Sequence, residues 1–292
     1  MLSLNILTPN KMYTILITGI NGFLGSHIAK RLSTEHRIIG LVHSKQNLFR
    51  LNDFDFEIYL SDDKSIETLF AEHHIDILIH TATYYGRNNE DVNKIFATNF
   101  LLPYNLLNKC IENGSSHFIN TDTVLDRFVN TYALTKRQFQ EWLYFRSGEI
   151  NAINMQLEHF YGEGCSSTNF ITAMGEKLKS NEPQIDLTAG EQLRDFIHYS
   201  DVVDAYELII NKLDKIEGKY NNYEVSNGEL ITIKDLMCML KAITKSTTTL
   251  NFGAVPYREN ELMKSKTNNE KLRALGWIPK TSINDGLKLT II

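Results

Sequence analysis

The chain has 292 residues, 42% of them hydrophobic and 22% charged, so it can bury a sizeable core in one large domain or two modest ones. Its formal net charge of −5, without any run rich in Lys and Arg, argues against a nucleic-acid-binding protein. Cys110, Cys165 and Cys238 are odd in number and lack metal-ligand spacing, so we expect unpaired thiols in a reducing compartment and no metal site.

The N-terminal segment has no basic start followed by a long apolar run, and no stretch reaches the roughly 18 apolar residues of a membrane span. We therefore expect a cytoplasmic protein that does not contact a membrane. Residues 1–11 carry no motif and precede the first strong strand, so we interpret them as an extension that lies beyond the functional core.

Apolar runs of strand length then alternate with helical patterns along the chain. The predicted strands are 12–18, 36–42, 56–60, 75–82, 116–120 and 151–157. The predicted helices are 23–33, 65–73, 91–112, 130–146, 169–180, 232–244 and 269–275. Continuous apolar strands separated by helices are typical of a parallel sheet covered on both faces.

The sequence therefore predicts an α/β protein with a doubly wound parallel sheet, a Rossmann fold, and a smaller C-terminal substrate-binding lobe. The expected boundaries are 1–160 for the dinucleotide-binding domain and 161–292 for the lobe, with segments near 195–225 returning to the first domain. A ligand is expected outside the carboxyl ends of the strands, between the two parts.

A glycine-rich turn follows the first predicted strand and opens the first helix. In this context Gly19 permits the tight turn, Gly22 lets a pyrophosphate approach the backbone, and Gly25 lets the helix pack on the strand. The alternative is a βα turn that binds nothing. The cofactor-binding residues expected here are Gly19, Asn21, Gly22, Phe23, Leu24 and Gly25.

The end of the second strand lacks the acidic residue that usually binds the ribose 2′-hydroxyl of NAD. Val42 stands at that place, and His43, Ser44 and Lys45 follow it. These three side chains suit a 2′-phosphate, so NADP(H) is preferred, with NAD(H) as the alternative. The alternative is that Lys45 is a solvated loop residue that binds no cofactor.

The segment "YALTK" places Tyr132 and Lys136 four residues apart, on one face of a helix. A lysine ammonium beside a tyrosine favours the phenolate and suits the pair to acid/base catalysis. An ordinary amphipathic helix would also carry such a pair, and the glycine turn upstream favours the catalytic interpretation.

Six segments together resemble the extended short-chain dehydrogenase/reductase family of nucleotide-sugar epimerases, dehydratases and reductases. They are "TGINGFLG", "IHTAT", "ATNFLLPYNLL", "YALTK", "RDFIHYSDVVDAY" and "LGWIP". By this resemblance Tyr132 and Lys136 are catalytic and contact the cofactor, while Arg194 and Arg258 bind the substrate pyrophosphate, a role that a planar guanidinium suits. The alternative for each arginine is a surface ion pair with an acidic residue. The resemblance adds further cofactor-binding residues, which are Ser61, Asp62 at the adenine, Ala82, Thr83 and Asn99.

The segment "FINTDTVLD" resembles the version of the family's hydroxyl motif found in sugar-nucleotide 4,6-dehydratases. The resemblance gives Thr121 the catalytic hydroxyl role and puts Asp122 at the position of the dehydratase acid. Thr123 replaces the glutamate base, and a threonine is a poor base, so dehydratase activity is disfavoured. Thr123 is a substrate-binding candidate and the alternative hydroxyl, and the segment from Thr121 to Tyr132 is shorter than in most of the family.

The combination of "INTDT", "YALTK" and "LEHFYG" resembles the bacterial 4-keto-6-deoxyhexose reductases that include CDP-abequose and CDP-paratose synthases. Glu158 and His159 occupy variable positions there and are expected to shape the sugar pocket, although a histidine near a strand end is often structural.

The resemblance predicts NADPH-dependent reduction of the C4 ketone of a nucleotide-linked 4-keto-6-deoxyhexose, with CDP as the expected nucleotide. The product would serve the synthesis of a dideoxysugar for a surface polysaccharide. The alternatives are an NAD-dependent nucleotide-sugar 4-epimerase and a non-catalytic NADP-sensing protein. The apolar load of helices 91–112 and 130–146 predicts a homodimer.

Overall fold

The structure, a computed structural model, describes residues 11–86, 91–259 and 261–291. Its strands, in chain order, are β1 (Thr14–Thr18), β2 (Arg37–Val42), β3 (Glu57–Leu60), β4 (Ile77–His80), β5 (His117–Thr123), β6 (Asn151–Leu157), β7 (His159–Tyr161), β8 (Gln184–Leu187), β9 (Leu193–His198), β10 (Tyr220–Val225), β11 (Leu230–Thr232) and β12 (Thr249–Phe252).

The helices of the described residues are α1 (Phe23–Leu32), α2 (Asp63–Glu72), α3 (Val92–Phe96), α4 (Leu102–Asn113), α5 (Thr131–Phe145), α6 (Phe170–Lys179), α7 (Tyr199–Asn211), α8 (Ile233–Thr244), α9 (Glu270–Ala274) and α10 (Ile283–Ile291). None of these helices is long and apolar enough to cross a membrane.

Seven strands form one parallel sheet in the order β10, β6, β5, β4, β1, β2, β3. The two faces of this sheet are both buried, in separate apolar clusters that include Ile17 on one face and Leu16 on the other. Burial on both faces explains why the strands read as continuous apolar runs. The predicted Rossmann fold is confirmed, and the strand order reverses direction between β1 and β4, where this fold binds its ligand.

One row of polar side chains interrupts the apolar sheet near its carboxyl edge. Thr18, His80, Asn120, Asn154 and Asn222 are aligned in register across β1, β4, β5, β6 and β10. Hydrogen bonds join the Thr18 hydroxyl to His80 Nδ1 at 2.9 Å, and Asn154 to both Asn120 and Asn222 at 2.7 Å. The row therefore lies level with the place where the ligand is expected.

The predicted helix 91–112 is interrupted within its length. A π-helical segment, Ala97–Leu101, separates α3 from α4. Pro103 lies in the first turn of α4, and a proline donates no backbone hydrogen bond and clashes with the carbonyl of the preceding turn. The wider π turn accommodates the missing hydrogen bond and the ring of Pro103. The helical path therefore continues from α3 into α4 without a reversal of the chain.

The C-terminal part contains two small sheets, β11-β9-β7 and β12-β8, and a core formed with α6, α8 and α10. β10 returns to the edge of the large sheet, and α7 packs against α1. Arg31 on α1 forms ion pairs with Asp204 at 2.6 Å and Glu207 at 2.8 Å, both on α7. The predicted elements did not include the strands β7 to β12 or the helices α7 and α10.

Candidate active site

The glycine turn adopts the geometry that its spacing predicts. Gly19 has a φ of +64°, and a Cβ there would lie 2.9 Å from the Cα of Ala82. At Gly25 a Cβ would meet the carbonyl oxygen of Gly19 and the hydroxyl of Thr81. Only glycine fits either position: Gly19 combines a positive φ with a close approach, and Gly25, a residue of α1, is required by the close approach alone.

The N-terminus of α1 is open to an anion. Gly22 is its N-cap residue, no side chain caps the helix, and no acidic residue lies in the first turn. The first amide N–H groups are thus available to a negatively charged group, which the helix dipole also favours. This cradle fits the pyrophosphate of a dinucleotide.

A cavity of about 620 Å³ opens at the carboxyl edge of the large sheet, between the two parts of the molecule. The predicted cofactor residues on its wall are Gly19, Asn21, Gly22, Phe23, Leu24, Gly25, His43, Ser61, Ala82 and Thr83. The predicted catalytic and substrate-binding residues on its wall are Thr121, Thr123, Tyr132, Lys136, Glu158 and His159. Residues from seven separate stretches of sequence therefore meet around one space.

Tyr132 and Lys136 reach the cavity from the first turns of α5. Asn130 begins this helix as its N-cap, with its side-chain oxygen accepting from the amide of Ala133 at 2.8 Å. The ring of Tyr132 lies 5.0 Å from the ring of Tyr85, centroid to centroid. The N-cap fixes where the helix starts, and so fixes that both side chains point to the cavity from the same face.

Lys136 is 2% exposed. Burial lowers its pKa to about 8, because the ammonium loses its hydration, and the negative charge of Asp122 opposes this shift. Asp122 is itself buried on the cavity wall, where its Oδ2 accepts a hydrogen bond from Nδ2 of Asn154 at 2.9 Å. The polar row of the sheet is thus linked, through this carboxylate, to the buried ammonium of Lys136.

The two candidate hydroxyls have different partners. The Oγ1 of Thr121 lies 2.7 Å from the hydroxyl of Tyr206, a buried residue of α7. The Oγ1 of Thr123 accepts from the amide of Leu125 at 3.3 Å. Both threonines line the cavity, so position alone does not choose between them.

Glu158 places a buried carboxyl group on the cavity wall. Its Oε2 lies 3.1 Å from Nδ1 of His159, and its Oε1 has no hydrogen-bond partner among the described residues. The side chain of Glu158 is fully buried, whereas that of His159 is 37% exposed. A buried oxygen without a partner is available to a substrate hydroxyl.

The residues expected at the adenosine part of the cofactor lie only in part on the cavity wall. His43 and Ser61 lie on the wall, and the wall does not include Ser44, Lys45 or Asp62. The Oγ of Ser44 accepts from the amide of Gln46 at 3.2 Å. Asp62 is the N-cap of α2 and accepts from the amide of Ser65 at 3.0 Å.

Arg50 is a wall residue that the sequence did not indicate. It lies in a 3₁₀ turn, Phe49–Leu51, after β2, and its Nη2 donates to the carbonyl oxygen of Gly164 at 2.6 Å. No spacing rule links Arg50 to the glycine turn. That Arg50 and His43 line the same cavity becomes evident only from the path of the loop.

Asn99 is buried behind the wall and holds the segment after β4. Its Oδ1 accepts from the Thr83 hydroxyl at 3.1 Å and from the Tyr84 amide at 2.9 Å, and its Nδ2 donates to the carbonyl oxygen of Tyr84 at 2.9 Å. Asn99 therefore supports Thr83 on the wall without lining the cavity itself.

The two arginines expected at the substrate pyrophosphate are not on the cavity wall. Arg194 is buried and forms an ion pair with Glu261 at 2.7 Å. Arg258 is exposed. A substrate phosphate would have to compete with Glu261 for the Arg194 guanidinium in this arrangement.

Within the described residues, one group of three side chains has the spacing of metal ligands, namely Glu57, Glu72 and His73. The hydroxyl of Tyr59 lies between them, within 2.6 to 2.9 Å of all three. This cluster does not line the cavity.

A glycine cradle at the switch point of a Rossmann sheet, with a Tyr and Lys pair and a threonine hydroxyl on one cavity, defines an enzyme of the short-chain dehydrogenase/reductase class. The family model described as "NAD dependent epimerase/dehydratase family" matches residues 15–225. The chain belongs to this family, which confirms the resemblance seen in its motifs.

Two relatives extend the match over most of the chain. The CDP-abequose synthase of Salmonella typhimurium strain LT2 is 30% identical over 289 residues, covering 94% of this chain and 96% of the relative. The CDP-abequose synthase of Salmonella muenchen is 32% identical over 284 residues, covering 94% and 95%. Among solved structures, the UDP-glucose 4-epimerase of Thermotoga maritima superposes with a TM-score of 0.83 at 24% identity, covering 95% of this chain and 97% of the other.

Proposed function

We propose that this protein uses NADPH to reduce the C4 ketone of a CDP-linked 4-keto-6-deoxyhexose. The single observation that carries the proposal is the meeting of Thr121, Tyr132 and Lys136 on the cavity that begins at the glycine cradle. The similarity to two CDP-abequose synthases supports the choice of substrate class and of CDP.

A bound nicotinamide supplies the hydride for such a reduction. Tyr132 donates its phenolic proton to the sugar oxygen as negative charge develops there, and Thr121 donates a hydrogen bond to the same oxygen. Lys136 stabilises, by its positive charge, the phenolate that remains on Tyr132 after the proton transfer. Asp122 keeps a negative charge near Lys136, which favours its ammonium form.

The remaining wall residues support recognition of the sugar and of the cofactor phosphate. Glu158 accepts a hydrogen bond from a sugar hydroxyl through its free Oε1, and His159 lies beside it. At the other end, Arg50 and His43 carry the donors that suit a 2′-phosphate, while the wall position normally held by an acid is Val42. The positive charge of Arg50 thus supports the preference for NADP that was inferred from the sequence.

The test is a panel of CDP-, GDP-, dTDP- and UDP-linked 4-keto-6-deoxysugars, each incubated with NADPH while the loss of its absorbance is followed. We expect one NADPH consumed per CDP-linked ketone reduced, and a product that has lost the ketone by mass spectrometry. Turnover of the sugar without net oxidation of NADPH would contradict the proposal.

A 4-epimerase is the second candidate, favoured by the close superposition on a UDP-glucose 4-epimerase. An epimerase would purify with tightly bound NAD and would act without added reductant. A protein that bound NADP but turned over no sugar of the panel would instead be an NADP sensor on the same fold.

We also propose a homodimer in the cytoplasm. Exposed apolar side chains on the helices around α3, α4 and α5, including Val92 (58% exposed), Leu101 (43%) and Phe145 (75%), support an interface between copies. The three cysteines of the described chain are unpaired, which supports a reducing compartment.

A further inference from the structure

Tyr206 lies in the core directly behind the cavity wall. It belongs to α7, is fully buried, and packs in the apolar cluster on one face of the large sheet. Its hydroxyl lies 2.7 Å from Oγ1 of Thr121, and Tyr206 does not itself line the cavity. The phenol of Tyr206 can therefore influence the cavity only through Thr121.

The direction of this hydrogen bond follows from the partners that each oxygen has. Among the described residues, Thr121 Oγ1 is the hydrogen-bond partner of the Tyr206 hydroxyl. If Thr121 donated, the phenolic proton would lie in an apolar core without an acceptor, at a cost of roughly 1–3 kcal/mol. If Tyr206 donates, its proton is satisfied, and the threonine proton is left to point toward the open side.

We propose that Tyr206 is a positioning residue for the reduction, donating to Oγ1 of Thr121 so that the threonine hydroxyl points its proton into the cavity. This inference rests on the proposed function, in which Thr121 binds the ketone oxygen. It also chooses between the two hydroxyls, because Thr123 accepts only a longer bond, 3.3 Å, from the amide of Leu125. A hydroxyl oriented in advance stabilises the transition state without reorganising first.

The first test compares Tyr206→Phe with Tyr223→Phe. Tyr223 is a second buried tyrosine of the same apolar cluster and lies away from the cavity wall. We expect Tyr206→Phe to lower kcat by about 10-fold with KM within about twofold, since it removes the orientation but keeps the hydroxyl of Thr121. Tyr223→Phe should leave kcat unchanged, and Thr121→Ser, which keeps the hydroxyl, should retain most of the activity.

The second test combines Tyr206→Phe with Thr121→Val. In the Thr121→Val background, Tyr206→Phe should change kcat by a factor near one, because the group that it orients is already gone. The melting temperature provides a readout that needs no substrate, and the loss in the double variant should be smaller than the sum of the two single losses.

The outcomes separate this proposal from the proposed function. An equal loss of kcat from Tyr206→Phe in both backgrounds, an unchanged kcat in the single variant, or additive losses of melting temperature would overturn the role given to Tyr206. A wild-type protein that reduces no 4-keto sugar would overturn the proposed function.

Discussion

Asn154 on β6 donates a hydrogen bond from Nδ2 to Oδ2 of Asp122 on β5 at 2.9 Å. Both residues are buried, so this contact holds a carboxylate in a fixed place on the cavity wall, where it acts on Lys136. The charge state of Lys136 on α5 therefore depends, through Asp122, on the Asn154 side chain of β6.

The first prediction concerns stability and pH. The pKa of Lys136 is lowered to about 8 in the folded protein from an ordinary 10.5. Between these values the unfolded chain binds a proton that the folded chain lacks, so stability from this group rises with pH. The free energy of unfolding of the wild type, minus that of Lys136→Met, should rise by about 2 kcal/mol from pH 8 to pH 10. Urea unfolding without cofactor measures it, and a flat difference would contradict the shift.

The second prediction concerns the proton donor. Tyr132→Phe removes the phenolic hydroxyl and keeps the ring that packs near Tyr85, so substrate binding should survive. We expect kcat to fall by roughly 10² to 10⁴, the usual effect of removing a general acid, and Lys136→Met to cost a comparable factor. Steady-state kinetics with NADPH and the accepted sugar measure both. A variant Tyr132→Phe with more than a tenth of wild-type kcat would exclude this role.

The third prediction distinguishes the two threonines on the cavity wall. Thr121→Val should lower kcat by about 10² to 10³, as for the loss of one oxyanion-type donor, and Thr123→Val should cost less. The two substitutions are matched in size and occur two residues apart on the same strand. The reverse order of effects would transfer the hydroxyl role to Thr123.

The fourth prediction concerns the cofactor. Arg50→Ala should weaken NADPH binding by about 10- to 100-fold and NADH binding much less, because a charge-assisted hydrogen bond contributes roughly 1.5–3 kcal/mol. Lys45→Ala is the matched control on the same loop, and lies off the cavity wall. Dissociation constants from fluorescence quenching would check both. If Lys45→Ala loses the preference and Arg50→Ala keeps it, the residues indicated by the sequence are the ones that bind the 2′-phosphate.

The fifth prediction concerns assembly. Wild-type protein at micromolar concentration should sediment as a dimer, and Leu101→Glu combined with Phe145→Glu should sediment as a monomer, because two buried carboxylates would lack partners in the interface. Leu289→Glu, on an exposed site of α10, should remain dimeric. Sedimentation velocity on the three proteins tests the interface, and a monomeric wild type would reject it.

Sequence reasoning identified the parts of the site that lie close together along the chain. Gly19, Gly22 and Gly25 share one turn, and Tyr132 and Lys136 share one helix face, so local spacing was enough to find them. The parallel sheet was predicted because strands buried on both faces must be apolar throughout.

The contacts that sequence reasoning missed join distant positions. Thr121 and Tyr206 are 85 positions apart, and Arg50 reaches Gly164 across 114 positions. Neither contact leaves a periodic signal, because each depends on how loops and helices pack in three dimensions. The sequence offered an ion pair as the alternative role of Arg194, but its partner, Glu261, was missed for the same reason.

The aligned polar row has a consequence for folding. Strands such as β1 ("TILIT") and β4 ("ILIH") carry nearly interchangeable aliphatic side chains, which would tolerate several pairings. A slip of one residue between β5 and β6 would move Asn154 to the opposite face, among aliphatic side chains, and would leave its amide without partners. We therefore expect the asparagines to select the correct strand register, because they destabilise misregistered sheets more than they stabilise the correct one.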